Sequence, residues 1–355
     1  PPAMERCFHG NSTALPRGDS RPLTVKRGVV VHQGALGDFL VALPVIEGIV
    51  RASPISKLDF WSRPAHLALL HGKPYVGSTH DAGGPEWSAF FQSDHADEAP
   101  LPQGIEEGGC VLILGQTSSA RMAERLRGRL RAPVTWLKSF PDEPGSRHCT
   151  DFIADQARSL GLPLLMEPLR LAPDPLELKA LRERLFPPGR SAFRRLVVAH
   201  PGSGGLRKVW PLTRWKMLLR WLCELREVQT LVVLGPADEK IRPFIREITA
   251  SAPIPVVEGL ELPALAALLN DADLYIGNDS GVTHLAAAMG TRVVAVFGPT
   301  DPAVWGPRGD CVAVFKDSWD MDEVLDARIS STGSHSVSSL ASIVGEMLAL
   351  DLRAM

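Results

Sequence analysis

From residue 28 the chain alternates short, unbroken apolar runs with longer stretches whose apolar positions recur every three to four residues. Val29–His32, Leu58–Trp61, Val111–Leu114 and Val134–Leu137 are short and rich in β-branched and aromatic residues, the pattern of strands buried on both faces. Segments 38–51, 64–71, 119–131 and 149–160 lie between or after them with helical periodicity. After residue 172 the rhythm restarts. Strands are expected at Leu196–Ala199, Leu231–Leu234, Val256–Val257, Leu274–Ile276 and Val293–Phe297, with helices at 212–226, 237–249, 262–270 and 281–289. Such βα alternation predicts an α/β protein whose parallel sheets are covered by helices on both faces. Ala172-Pro173-Asp174-Pro175 is the best break, followed by a helical stretch from Leu176 to Leu185. The expected layout is a first domain over 28–172, a second over 173–334 and a final helix over 335–355, in which Leu340, Ile343, Met347 and Leu350 are apolar. Residues 1–27 are rich in Pro, Ser, Gly and Arg, lack periodicity, and read as a disordered or weakly ordered extension.

Composition changes this picture little. A length of 355 residues suits two domains, and 45% hydrophobic with 22% charged residues is ordinary for folded protein. A net charge of −2 gives no electrostatic case for nucleic acid. The five cysteines are scattered, without Cys-x-x-Cys or metal-ligand spacing, which suits a reducing compartment. No apolar run reaches the ~20 residues of a membrane span, and no charged-then-apolar leader opens the chain. The expected location is the cytoplasm.

Three blocks carry chemistry. In the first, a strand at Leu274–Gly277 leads through Asp279 and Ser280, both good N-caps, into a helix from Val282 to Met289 that Gly290 closes. A tight turn opening a helix presents free N–H groups and the positive end of the helix dipole, an anion site most often used for phosphate. Ser280 and Gly281 would donate backbone N–H groups, and His284, one turn in, adds a side-chain donor. In the second, His200-Pro201-Gly202-Ser203-Gly204-Gly205 with Arg207 and Lys208 is a flexible loop with a cation, suited to a diphosphate; the alternative is a solvated basic loop. In the third, Gly34-Ala35-Leu36-Gly37-Asp38 follows the first strand, and Asp38 is placed either to cap the next helix or to act as a general base. Glu258 follows a strand, where an acid can accept from ribose hydroxyls or be an ordinary surface group. Thr300, Asp301 and Trp305 sit in a Pro- and Gly-punctuated loop that either shapes a pocket or is a structural turn. Trp210, Trp215 and Leu218 read as core. Arg121, Arg125 and Arg129 share one helical face, and Met122, Leu126 and Leu130 share another; the first is a solvated basic face or one that meets an anionic glycolipid or membrane surface. There is no His-x-x-x-His pair and no Asp-x-Asp, so no metal is expected, and no Gly-x-Ser-x-Gly elbow supports a hydrolase.

These three blocks, in their order along the chain, resemble the motifs of glycosyltransferase family 9, which holds the ADP-heptose lipopolysaccharide heptosyltransferases; together they span residues 28 to about 307. The resemblance implies a GT-B fold of two Rossmann-like domains facing across a cleft, with a last helix returning toward the first domain. It implies an inverting, metal-independent glycosyltransferase. The donor would be a nucleotide sugar such as ADP-heptose and the acceptor an anionic glycolipid of the lipopolysaccharide core, with peripheral contact at the inner membrane. Carried over residue by residue, Asp38 is the base and Lys208 faces the donor phosphates. Ser203, Gly204, Glu258, Asp279, Ser280, Gly281, His284 and Asp301 surround the donor. Gly37, Arg63, Arg121 and Arg125, with His66 and Lys73, are candidates for the acceptor side. Ser203 stands where some members have Thr. A nucleotide-sugar epimerase or hydrolase on the same fold, or a non-catalytic nucleotide-sugar-binding protein, is the alternative.

Overall fold

A computed structural model describes residues 26–85, 87, 100–142, 147–185, 195–252, 254–325 and 331–349. The extension expected over residues 1–27 falls almost wholly outside them. The chain forms two compact units, divided between Glu167 and Pro168.

The first unit is a five-stranded parallel sheet in the order β3-β2-β1-β4-β5, with β1 at Lys26–His32, β2 at Ile55–Ser62, β3 at Val76–Asp81, β4 at Val111–Gly115 and β5 at Val134–Lys138. Its helices are α1 (Leu36–Ala52), α2 (Pro64–Ala68), α3 (Thr117–Arg129) and α4 (Cys149–Ser159). The middle of the central strand β1 is an unbroken apolar run, Val29, Val30 and Val31, all buried, as befits a strand covered on both faces. The helix expected over 64–71 is one short turn, and β3 was not expected at all. As an edge strand β3 alternates half-buried and exposed residues, so it lacks the apolar run that marks a central strand.

The second unit is a six-stranded parallel sheet in the order β11-β10-β9-β6-β7-β8, formed by β6 (Arg195–His200), β7 (Val228–Leu234), β8 (Val256–Glu258), β9 (Leu274–Asn278), β10 (Val293–Phe297) and β11 (Val312–Lys316). Helices α5 (Pro175–Leu185), α6 (Leu212–Glu224), α7 (Arg242–Ala250), α8 (Leu262–Asp271), α9 (Gly281–Ala288), α10 (Pro302–Trp305) and α11 (Ser331–Leu348) complete it. The helix expected over 237–249 starts at Arg242, because residues 236–238 form a separate 3-10 turn. Trp210 and Trp215 meet edge to face at 5.7 Å in the core, as their apolar setting suggested. Helix α11 lays Val337, Leu340, Val344 and Leu348 into this same core. Among the described residues no helix is long and apolar enough to cross a membrane.

Both sheets place the ends of their central strands, β1 in one unit and β6 and β9 in the other, directly before the three motif loops. The strands run parallel, so these loops lie at the carboxyl edge of each sheet, where ligands of open α/β sheets bind.

Candidate active site

In the second unit the loops after β6 and β9 are locked together. Strand β9 ends on Asn278, wholly buried, whose Nδ2 donates to the carbonyl of Pro201 at 2.6 Å while its Oδ1 accepts from the Trp210 N–H at 3.2 Å. Ser203, itself buried, returns the tie by donating from Oγ to the Asp279 carbonyl at 2.7 Å. Asp279 Oδ2 then accepts from the Thr300 hydroxyl at 2.7 Å and lies 2.9 Å from Lys208 Nζ. One carboxylate thereby fixes the ammonium delivered by the mid-chain loop beside the start of α9. Lys208 Nζ also lies 6.0 Å from the centre of the Trp305 ring, within cation–π range.

Helix α9 opens as expected. Ser280 is its N-cap in extended conformation, with its Oγ accepting from the Thr283 N–H at 3.4 Å, and Gly290 closes it at a φ of +83°. Gly281 is half-buried at the first position, and His284 is buried one turn in. Gly204 is exposed, and a Cβ built there meets no atom within 4 Å. This end of the unit therefore gathers Ser203, Lys208, Asp279, Ser280, Gly281 and His284, with Thr300 and Trp305 beside them: one cation, helix-end N–H groups and hydroxyls, groups complementary to a diphosphate.

Two expected donor residues are engaged elsewhere. Asp301 is exposed and caps α10, accepting from the Ala303 N–H at 2.9 Å. Glu258 receives both arms of the Arg246 guanidinium at 2.9 Å, with Arg242 at 3.5 Å, and the Arg246 hydrogen bond holds its carboxyl below the usual carboxylate range.

In the first unit, β1 ends on His32 and the chain turns through Gly34 into α1. Asp38 stands half-buried in the first turn of α1, where its Oδ2 accepts from the Ala35 N–H at 3.1 Å. The turn is tight enough that a Cβ on Gly34 would lie 2.9 Å from His32 Cε1 and 3.0 Å from Asp38 Oδ2, so only glycine fits between them. Sequence reasoning passed over His32. Its ring is 1% exposed, neither nitrogen has a hydrogen-bond partner among the described residues, and it packs 5.3 Å from Phe39, which stacks on His66 at the same distance. Burial, helped by the charges of His66 and Arg63, pushes His32 down to about 3; burial and Arg63 push His66 down to about 4. Both rings are therefore neutral at physiological pH.

Arg63 is exposed near this pair, at the start of α2. Lys73 is tied to the buried Glu47 at 2.9 Å, the same oxygen that accepts from the Tyr75 hydroxyl at 2.8 Å. Arg121 is exposed and Arg125 half-buried on α3, whose opposite face buries Met122, Ala123 and Leu126. Among the described residues no group of three or more His, Cys, Asp or Glu side chains could hold a metal ion.

Two parallel-sheet α/β domains, each with its loops at the carboxyl edge, are of the GT-B fold class. Residues 154–325 match the profile of glycosyltransferase family 9 (heptosyltransferase). Lipopolysaccharide heptosyltransferase 1 of Pseudomonas aeruginosa is 32% identical over 80% of this chain and 81% of its own length. Lipopolysaccharide heptosyltransferase 3 of Escherichia coli is 25% identical over 76% of this chain and 83% of its own. The solved structure of E. coli ADP-heptose lipopolysaccharide heptosyltransferase II superposes with a TM-score of 0.66 at 17% identity, covering 90% of this chain and 99% of that one. The chain belongs to glycosyltransferase family 9, and its activity is glycosyl transfer in lipopolysaccharide biosynthesis.

Proposed function

We propose that this glycosyltransferase moves a heptose from ADP-heptose, with inversion and without a metal, onto an anionic lipopolysaccharide-core acceptor. The observation that carries the reading is the Lys208–Asp279 contact. It holds a cation beside the N-terminal end of α9, where ammonium, helix dipole and the N–H groups of Ser280 and Gly281 would together meet a diphosphate. These groups, with Ser203, Gly204 and His284, would take up the charge of the departing nucleoside diphosphate, the task a divalent cation performs in other sugar transferases.

Asp38 would serve as base. Its carboxylate accepts the proton of the acceptor hydroxyl, the hydroxyl oxygen forms the new bond to the anomeric carbon, and the bond to the diphosphate oxygen breaks with its electron pair leaving on the diphosphate. Its Oδ2 already receives the Ala35 N–H, which orients the carboxylate at the start of α1. Glu258 would accept from the ribose through lone pairs not used by Arg246, and Asp301 would contact the sugar. Gly37, Arg63, Arg121 and Arg125 would meet the acceptor, and the α3 arginines would hold the enzyme against the anionic cytoplasmic face of the inner membrane.

The test is thermal unfolding of the purified chain with ADP, UDP, GDP and ADP-heptose, together with turnover on a heptose-free core glycolipid. A ligand at 100 times its Kd stabilises by about 2.7 kcal/mol. ADP and ADP-heptose should raise the melting temperature, and Lys208→Ala should abolish the shift. Asp38→Asn should keep the shift and lose turnover. A shift with UDP or GDP alone would replace the donor, full activity of Asp38→Asn would remove the base, and binding with turnover but no acceptor requirement would favour an epimerase or hydrolase.

A further inference from the structure

Behind the two phosphate loops lies a buried polar chain to which no role has yet been assigned. Asp238, 2% exposed, follows β7 and accepts at Oδ2 from the Gly235 N–H at 2.7 Å; the same oxygen lies 3.0 Å from His200 Nε2. Its Oδ1 has no hydrogen-bond partner among the described residues and sits against the Cα of Gly202, so closely that a Cβ there would overlap the carboxylate. On the far side of the imidazole, Nδ1 lies 3.5 Å from the Tyr275 hydroxyl, which is 3.1 Å from Thr283 Oγ1. Thr283 donates to the Asn278 carbonyl at 2.5 Å and lies 3.1 Å from Ser280 Oγ. Gly277 leaves the space into which the Tyr275 hydroxyl folds back. The chain thus begins under one phosphate loop, at His200 and Gly202, and ends at the N-cap of α9 in the other.

Counting hydrogens favours an imidazole protonated on both nitrogens. Five contacts join these groups: Asp238 to His200, His200 to Tyr275, Tyr275 to Thr283, Ser280 to Thr283, and Thr283 to the Asn278 carbonyl. Tyr275, Thr283 and Ser280 bring one hydroxyl hydrogen each, and a neutral imidazole one more. That serves four contacts and leaves two lone pairs facing each other at the fifth, a buried polar mismatch. With hydrogens on both ring nitrogens every contact is served in one direction: His200 donates to Asp238 and to Tyr275, Tyr275 to Thr283, Ser280 to Thr283, and Thr283 to Asn278. Asp238 supplies the anion that stabilises the imidazolium, and the His200 contact offsets the burial that would otherwise raise its carboxyl, which stays below the usual range with help from the Gly235 N–H and Arg242.

We propose that Asp238 and His200 form a buried ion pair whose hydrogen-bond chain through Tyr275 and Thr283 positions the two diphosphate-binding loops of the donor site. This rests on the donor-site reading above. Asp238 and His200 do not touch the donor; they are positioning residues. The pair fixes the backbone of Gly202 and the N-cap of α9 before a nucleotide arrives, so that little ordering is left to oppose binding.

Two measurements on the full chain test it. In nitrogen-15 spectra of histidine-labelled protein at pH 7, both ring nitrogens of His200 should show the protonated signature, while buried His32 shows the neutral one. A neutral His200 ring would overturn the proposal, and this readout needs no variant to fold. Second, ADP affinity is measured by calorimetry for the native chain, Lys208→Ala and Asp238→Asn. Asp238→Asn keeps the shape but not the charge; it should weaken ADP on the order of tenfold while unfolding stays cooperative, and return His200 to the neutral signature. Native ADP affinity in that variant overturns the positioning role while leaving the donor site intact. Absence of ADP binding in the native chain would instead fault the donor-site reading, and the spectrum would still decide the ion pair.

Discussion

The buried, unpartnered His32 makes stability of the first unit depend on pH in a calculable way. In the unfolded chain it titrates near 6.5, whereas in the folded unit it is held down to about 3. The folded pKa is depressed, so below pH 6.5 the unfolded state binds the extra proton. Stability is fully present above 6.5 and is lost as pH falls from there toward 3. Integrated to pH 5, this one ring costs about 2 kcal/mol relative to pH 7.5, since each pH unit below 6.5 withdraws about 1.4 kcal/mol. His66, held down to about 4, adds a parallel loss. The perturbation is His32→Leu, which keeps the volume against Phe39 and removes the titration. The assay is native-state hydrogen exchange of the Val29–Val31 amides at the two pH values, which reads opening of this sheet without reference to the second unit. Between pH 7.5 and 5 the native protein should lose about 2 kcal/mol more opening free energy than the variant. The comparison is of slopes, so any packing cost of leucine cancels. Equal slopes would refute the reasoning, because they would mean that His32 gains its proton in the folded state through a partner or an opening to water that its environment does not provide.

Two further substitutions test the second unit. Arg214 is buried and binds Asp317 Oδ2 and Glu323 Oε2, each at 2.8 Å, while Trp210 Nε1 donates to that same Asp317 oxygen at 2.7 Å. Arg214→Met removes the cation from a nearly buried carboxylate, leaving it, among the described residues, only the hydrogen bonds of Trp210, Ser318 and Ser336, and should destabilise by about 3 kcal/mol, lowering the melting temperature of this unit by roughly 6–12 °C in calorimetry; a melting temperature as in the native chain would show that Asp317 does not need the guanidinium. Gly277→Ala drives a Cβ into the Tyr275 hydroxyl and ring, which strand β9 and its neighbours do not let move. It should cost about 1–3 kcal/mol and weaken ADP binding together, and an alanine variant with native affinity would show that Tyr275 is free to withdraw.

Why some of this was legible in the sequence and some was not follows from the physics of each position. The motif loops declared themselves because their backbone demands are local: Gly34 between two side chains, Ser280 at an N-cap and Gly290 at positive φ each need a particular residue type within a few positions. The central strands were legible because burial on both faces leaves no room for polar side chains. Edge strands β3 and β11 were not, since half of each faces outward and the apolar run is broken. The polar groups behind the site were illegible for a different reason. Asp238 and His200 lie tens of residues from each other and from the pair Tyr275 and Asn278, and no local sequence pattern joins them. Asn278 has meaning only because the carbonyls and N–H of Pro201, Gly202 and Trp210 arrive beside it from another strand, leaving backbone groups in the core that need partners. Here Gly202 and Gly277 were the overlooked signal. One sits in a loop where flexibility explained it and the other in a strand where nothing did. A glycine inside a buried strand marks close approach by another group, and at Gly277 that group is the Tyr275 hydroxyl through which the two phosphate loops are joined.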